Sequence, residues 1–234
     1  MNGELPENHR SRVGAERRER TRARLLESAL LVFAEKGPEA AVIDDVIALA
    51  GMARGSFYNY FRTNEELLAA VAAEISDELL RVIDPVVQSH DDPAARIACG
   101  ARLLLHAVRR YPLLGAFLSR LPWPAADSPL IGIGFLARDL EMGLAQKKFA
   151  DIQARVGVDL VAGTLFSAAH SLSRDALPED YPEAVVKAIL QGLGVSKSDA
   201  ARSIALSLPD VDLDDNSVLK RTLHRSQCAA KSPG

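Results

Sequence analysis

Apolar residues recur at intervals of three and four along most of this chain. Over 17–36, Leu25, Ala29 and Val32 form one row and Leu26, Leu30 and Phe33 another, which predicts a helix that Gly37-Pro38 ends. A short helix follows over about 44–50. Gly51 supplies the turn after it, because a residue just past a helix end often needs a positive φ, which glycine adopts without steric cost. A third helix covers about 54–60. Thr63 and Glu66 stand three apart ahead of Leu67 and Leu68, a capping-box pattern that starts a long fourth helix reaching about residue 83, before Pro85. Helical spacing resumes after Asp91-Asp92-Pro93 over 94–110, 113–120, 129–147, 152–173 and 179–193, and more weakly over 196–206. No stretch alternates convincingly as a strand would, so the chain reads as all-α.

These elements group into four expected segments. Residues 1–15 are polar, carry Pro6 and read as a flexible arm. Residues 16–62 hold three helices and form a small unit, and 63–208 form a larger helical body. The stretch 209–234 opens with acidic residues and ends with basic and small polar ones, a composition expected to stay mostly disordered.

Composition changes the picture in two places. Hydrophobic residues make up 48% of the 234 residues and charged residues 25%, the balance of a soluble globular protein. Charges break each apolar stretch before it reaches the roughly 20 residues of a spanning helix, and residues 1–8 lack the apolar core of a signal peptide. The expectation is therefore a cytoplasmic protein with no membrane partner. Cys99 and Cys228 lie far apart with no Cys or His companion, so neither a disulfide framework nor a metal site is indicated; Cys99 suits packing and Cys228 an exposed thiol. The second change concerns charge. The net charge is −3, yet 9–62 carry ten basic residues against seven acidic ones. A positive region on an otherwise acidic body is what a localised contact with a phosphate backbone needs.

That region also holds a helix, tight turn and helix from Val46 to Tyr58. Val46, Leu49 and Met52 can face a core, and Phe57 and Phe61, one turn apart, point inward together. Arg54, Gly55, Ser56, Tyr58, Asn59 and Tyr60 remain for the outer side. Arg54 can reach phosphate or guanine, Ser56 and Asn59 can hydrogen-bond base edges, and Gly55 lets the backbone approach the sugar-phosphate chain. The tyrosines offer hydroxyls to phosphates and rings to thymine methyls, with packing against the first helix as their alternative. Arg20 and Arg22 belong to an arginine-rich run that elsewhere would be a solvated helix face; placed just before a helix-turn-helix, it is expected to meet DNA.

Five blocks in order now resemble a known family: Leu25-Leu26-Glu27-Ser28-Ala29, Phe33-Ala34-Glu35-Lys36-Gly37, Asp45-Val46-Ile47, the run from Ala50 to Phe61, and Asn64-Glu65-Glu66-Leu67-Leu68. They are similar to the tetracycline-repressor-like (TetR) regulators over about residues 20–72. The resemblance implies a homodimer of all-helical subunits. Each has an N-terminal three-helix DNA-binding domain and a C-terminal helical domain that binds a small effector and pairs with its twin. It further implies a repressor on a near-palindromic operator, released by ligand. Two positions depart from the pattern. Val42-Ile43 stand where a threonine usually caps the second helix and touches phosphate, leaving Asp44 as the alternative cap, and Asn64 stands where a lysine commonly begins the fourth helix.

The body has no comparably specific motif. His106, Phe117, Trp123, Phe135, Phe166 and His170 lie on segments that, in such an arrangement, surround an effector cavity, although aromatics at helical spacing are more often ordinary core. The apolar stretches from Val156 to Leu172 and from Ala184 to Leu193 are apolar on more than one side, which suits burial against both their own core and a partner. Enzyme readings find little footing. Gly132-Ile133-Gly134 and Gly192-Leu193-Gly194 follow no strand, and no GxSxG, HExxH or clustered carboxylate-histidine set occurs. No cofactor is expected. Besides a helical enzyme with an unrecognised site, the alternative is an architectural protein that binds DNA without sequence preference. The acidic body and the polar set on the third helix weigh against it.

Overall fold

The computed structural model describes residues 5–38, 42–121 and 132–230. Eleven helices and no strand occur among them: α1 (Leu5–Lys36), α2 (Val42–Ala50), α3 (Arg54–Phe57), α4 (Asn64–Gln88), α5 (Pro93–Arg110), α6 (Pro112–Leu118), α7 (Ile133–Ala145), α8 (Ala154–Arg174), α9 (Tyr181–Gly192), α10 (Lys197–Ile204) and α11 (Val218–Ala230). The all-α architecture is as the periodicity predicts, and the punctuation acts where it stands. Gly37 takes φ +80° and donates its N–H to the Phe33 carbonyl, ending α1, while Gly51 takes φ +60° in the turn after α2. Thr63 Oγ1 accepts from the Glu66 N–H at 3.1 Å, and the Glu66 carboxylate reaches back to the Arg62 N–H at 2.7 Å.

Two cores result. The first joins Leu25, Leu26, Leu30 and Phe33 of α1 to Val46 of α2, Phe57 and Phe61, then to Leu67, Ile75 and Leu79 of α4. It does not stop at residue 62: Leu103 of α5, Leu114 and Phe117 of α6, and Val211, Leu213, Val218 and Leu219 belong to it as well. The second core gathers α5, α7, α8, α9 and α10 around Leu105, Leu140, Val161, Val186 and Leu190. The helix α5 serves both, with Cys99 fully buried on the side facing the first core. The Cys228 side chain lies outside those described.

Several expectations are corrected. The arm is helical from Leu5 onward, since a proline in the first turn forfeits no intrahelical bond and Glu7, Arg10, Arg12 and Glu16 are good helix formers; Arg12 and Glu16 pair one turn apart at 3.8 Å. Pro85 does not end α4, which continues to Gln88 because Ile83 and Val87 on either side bury their chains in the core. The third helix is one turn long. After Phe57 the N–H groups of Asn59 and Tyr60 reach back three residues instead of four, a tightening that Gly55 and an N-cap Ala53 without a side-chain bond do nothing to oppose. Leu49 is 41% exposed, because α2 turns the row Val42, Val46, Ala50 toward α1 and Ile47 fills the flank.

The largest correction is at the chain's end, where a disordered tail was expected. Ser217 Oγ accepts from the Lys220 N–H at 3.1 Å and opens α11, whose Val218, Leu219 and Thr222 are fully buried. The physical reason is that a short helix needs few apolar residues when a ready-made groove accepts them.

At the end of α9, Gly194 takes φ +86°, and a Cβ there would stand 2.9 Å from the Ala150 backbone nitrogen and 2.7 Å from its Cβ. Gly194→Ala is therefore expected to cost at least about 1–2 kcal/mol from the left-handed backbone alone. The midpoint of urea unfolding checks this, and an unchanged midpoint would contradict the packing described.

Candidate nucleic-acid interface and effector cavity

The N-terminal interface begins with what is buried. Phe57 and Phe61 lie in the core with ring centroids 6.1 Å apart, and they anchor the short α3 against α1 and α2. This leaves Arg54, Gly55, Tyr58 and Asn59 exposed and Ser56 half-buried. A Cβ on Gly55 would meet nothing within 4 Å, so the backbone there is open to close approach. Tyr58 is 47% exposed, with its ring edge-on to Phe57 at 5.4 Å. Tyr60 is half-buried against the core, a mixture of contact and packing.

Arg54 carries a local partner. Its Nη1 lies 2.8 Å from Asp44 Oδ1, and both side chains are exposed. The Tyr58 hydroxyl and Asp44 together hold the guanidinium firmly in its charged form. Asp44 itself is no cap: it is the third residue of α2, and its carboxylate goes to Arg54. Asn64 is corrected too. Its Nδ2 donates to the Pro38 carbonyl at 2.6 Å, so it ties the segment after α1 to the start of α4.

Between α1 and the helix-turn-helix runs an open cleft. Arg17, Arg18, Arg20 and Arg24 line one wall; Ser56, Asn59 and Tyr60 line the other; and no carboxylate is among its lining residues. Arg24 lies over Gly51, its Nη2 3.0 Å from where a Cβ would stand, so glycine there serves the close approach as well as the turn. Arg22 instead faces α4, 3.4 Å from Glu74. Guanidinium groups, hydroxyls and an amide converging on one cleft can bind phosphate oxygens and base edges.

In the body a cavity of about 120 Å³ lies among α4, α5, α7 and α8. Its walls are mainly apolar, including Leu79, Ile83, Leu104, Val161 and Leu165. Of the six residues expected around a cavity, Phe135 and Phe166 line it. Phe117 is buried in the first core; His106 is drawn away by Glu183, 2.9 Å from its Nε2; and His170 is exposed and outside the cavity lining. Trp123 lies outside the described residues.

Sequence reasoning missed the cavity's charged edge. Asp139 of α7 is 4% exposed and accepts from Arg96 at 3.0 Å and from Arg138 at 2.9 Å, while Arg138 Nη2 lies 3.5 Å from Asp84. Asp84, Arg96 and Asp139 line the cavity, and with Arg138 the group sums to zero formal charge. The available signal was the adjacent pair Arg138-Asp139 in the middle of a largely apolar helix. Among the described residues no group of His, Cys, Asp and Glu could hold a metal ion.

A three-helix head whose buried phenylalanines present a short helix beside a basic cleft, carried on a helical body with its own cavity, defines a helix-turn-helix DNA-binding regulator. Comparison with known proteins places it further. Residues 25–71 match the model of bacterial regulatory proteins of the tetR family. The helix-turn-helix regulator YfiR of Bacillus subtilis is 36% identical over 73 residues, which cover 31% of this chain and 36% of that protein. The transcriptional repressor Rv3405c of Mycobacterium tuberculosis is 26% identical over 156 residues, 62% of this chain and 82% of that protein. Among solved structures, RolR in complex with resorcinol superposes with a TM-score of 0.65 at 29% identity, over 85% of this chain and all of that one. Over residues 25–71 the chain is thus similar to the tetR family of bacterial regulatory proteins, and over most of its length to solved and curated proteins of that kind. YfiR and Rv3405c are both named as helix-turn-helix regulators of transcription.

Proposed function

We propose that the chain is a ligand-released repressor that binds a near-palindromic operator as a homodimer in the cytoplasm. Residues 16–62 act as the reading head and 63–208 as the effector and dimerisation body. The observation that carries this is the cleft of four arginines facing Ser56, Asn59 and Tyr60 without a carboxylate in its lining. In it α3 enters a major groove with Arg54, Ser56, Tyr58 and Asn59 toward the bases and phosphates, while Arg20 and its neighbours hold the backbone. Arg22, Asp44 and Asn64 act from behind, through Glu74, Arg54 and Pro38.

Dimerisation is supported by α8, which by length and composition alone is apolar enough to cross a membrane, with less than half of its apolar stretch buried; Val156 is 50% exposed. A helix in that condition on a soluble regulator calls for a partner surface, and α9 continues the face.

The effector suits the cavity. About 120 Å³ matches a single small ring, since an apolar cavity of roughly 150 Å³ holds benzene. The charged edge sums to zero, so the ligand is a neutral ring compound whose hydroxyls donate to Asp84 or Asp139 and accept from Arg96. RolR, whose structure holds resorcinol, is a relative with a ligand of this class.

Selection of bound duplexes from a random pool tests the whole reading, run with and without a dihydroxybenzene at millimolar concentration. The expected outcome is a near-palindrome with half-sites about one helical turn apart, released by the phenol. Enrichment of no motif would sink sequence-specific reading. A motif recovered equally well in the presence of every small phenol tried would sink the effector class.

A further inference from the structure

The C-terminal helix α11 touches the head and the cavity-bearing helix α4 at once. At its start the Val218 N–H donates to Glu78 Oε1 at 2.5 Å, and Glu78 precedes Leu79 and Leu80, both of which line the cavity. Seven residues on, about 10 Å along a helix axis, Arg225 Nη2 donates to the Leu49 carbonyl at 2.8 Å and its Nη1 to Ser28 Oγ at 3.3 Å. Between these ends Arg221 Nε pairs with Glu27 at 2.8 Å, and Leu219 and Thr222 are fully buried. Leu49 stands two residues before Gly51, the turn of the helix-turn-helix.

The segment leading into α11 is fastened as firmly. Val211 and Leu213 are buried, the Leu213 N–H donates to the Tyr111 hydroxyl at 3.3 Å, and Lys220 Nζ lies 3.0 Å from both Asp212 and Asp215. One continuous stretch thus runs from α5 over α4 to the last turn of α2. A hydrogen bond to one of a helix's last carbonyls, which lack intrahelical partners, restrains that helix's end, and a guanidinium gives it directional strength.

We propose that α11 is a strap that fixes the orientation of the reading head relative to the cavity, with Arg225 the positioning residue at its head end. The strap acts on DNA through α2 and α3 and touches no nucleotide itself. Its regulatory meaning rests on the DNA-reading role proposed above: the strap sets how far apart the two heads of a dimer stand, and a change in α4 at Glu78 reaches Leu49 along α11.

The test uses the full chain carrying Arg225→Ala, a partly exposed side chain whose loss removes no core atom. In the DNA-free protein, amide hydrogen exchange across 42–61 is expected to quicken at least threefold while exchange across α5 keeps its rate. On the operator recovered by selection, the preference for the natural half-site spacing over the same site with one base pair inserted is expected to fall at least threefold. Unchanged exchange across 42–61 overturns the strap, and so does a rise that spreads equally to α5, which marks general loosening. Quickened exchange with an unchanged spacing preference overturns its role in DNA reading. If the wild-type chain selects no operator, the repressor reading falls, and the strap stands or falls on the exchange result alone.

Discussion

Arg54→Ala and Tyr58→Ala are each expected to weaken binding to the selected operator by about 1–3 kcal/mol, roughly 5- to 150-fold, while the free protein melts as before. Arg54 projects into solvent from the start of the short α3 and Tyr58 from the residue just past its end, so their removal leaves Phe57 and Phe61 packed. The two losses should differ in character. Arg54 can read guanine in bidentate fashion, so its removal should relax the sequence preference at one position of each half-site. Tyr58 offers a hydroxyl and a ring edge, and its loss should weaken cognate and altered sites more evenly. Quantitative gel shifts on the operator and on single-base variants measure both, and unchanged affinity in either variant would remove that residue from the interface.

Glu78→Gln is expected to stabilise the protein above neutral pH. Glu78 is 6% exposed, and burial drives its carboxyl up from the ordinary 4.5 to about 7, with Glu74 adding to the rise. The N–H groups of Val218 and Leu219 and the charge of Arg221 pull the other way without overcoming it, and Oε2 has no hydrogen-bond partner. A group whose folded pKa lies above its unfolded value binds more protons when folded, so its contribution is complete below about 4.5 and is lost as pH rises through about 7. The interval corresponds to about 3 kcal/mol at about 1.4 kcal/mol per tenfold change. The amide keeps an acceptor for Val218 and carries no charge. Urea unfolding of the two proteins at pH 4 and pH 8 should show equal stability at the lower pH and up to about 3 kcal/mol in favour of the variant at the higher. Parallel curves at both values would mean that Glu78 is solvated.

The head was legible in the sequence because its signals are local. The rows through Leu25 and Leu26, the glycines at 37 and 51, and the Thr63 cap each act within a few residues, and each acts as its spacing predicts. Leu49 misled for a reason of the same scale: on a nine-residue helix, a small rotation about the axis moves one apolar side chain out of the core, and sequence spacing does not set that rotation. What the sequence hid is tertiary. Asp84, Arg96 and Asp139 come from three helices, and nothing in their separation along the chain announces that they meet. The end of the chain was hidden by its composition, since Val211, Leu213, Val218 and Leu219 are few among charges, and the partners that order them, Glu27 and Glu78, lie well over a hundred residues away.

In the interface proposed above, the ion pair between Arg54 and Asp44 would shape how the protein searches a genome. A guanidinium already bound to a carboxylate gains from DNA only the difference between two partners, and it must leave one to take the other. On arbitrary duplex, where it would meet a single phosphate, that difference is small and Arg54 stays at home. On a guanine presented in the right register, with two acceptors in one plane, the exchange is favourable. On that proposal Asp44 is an internal competitor for the guanidinium, and it disfavours the many wrong sites more than the few right ones.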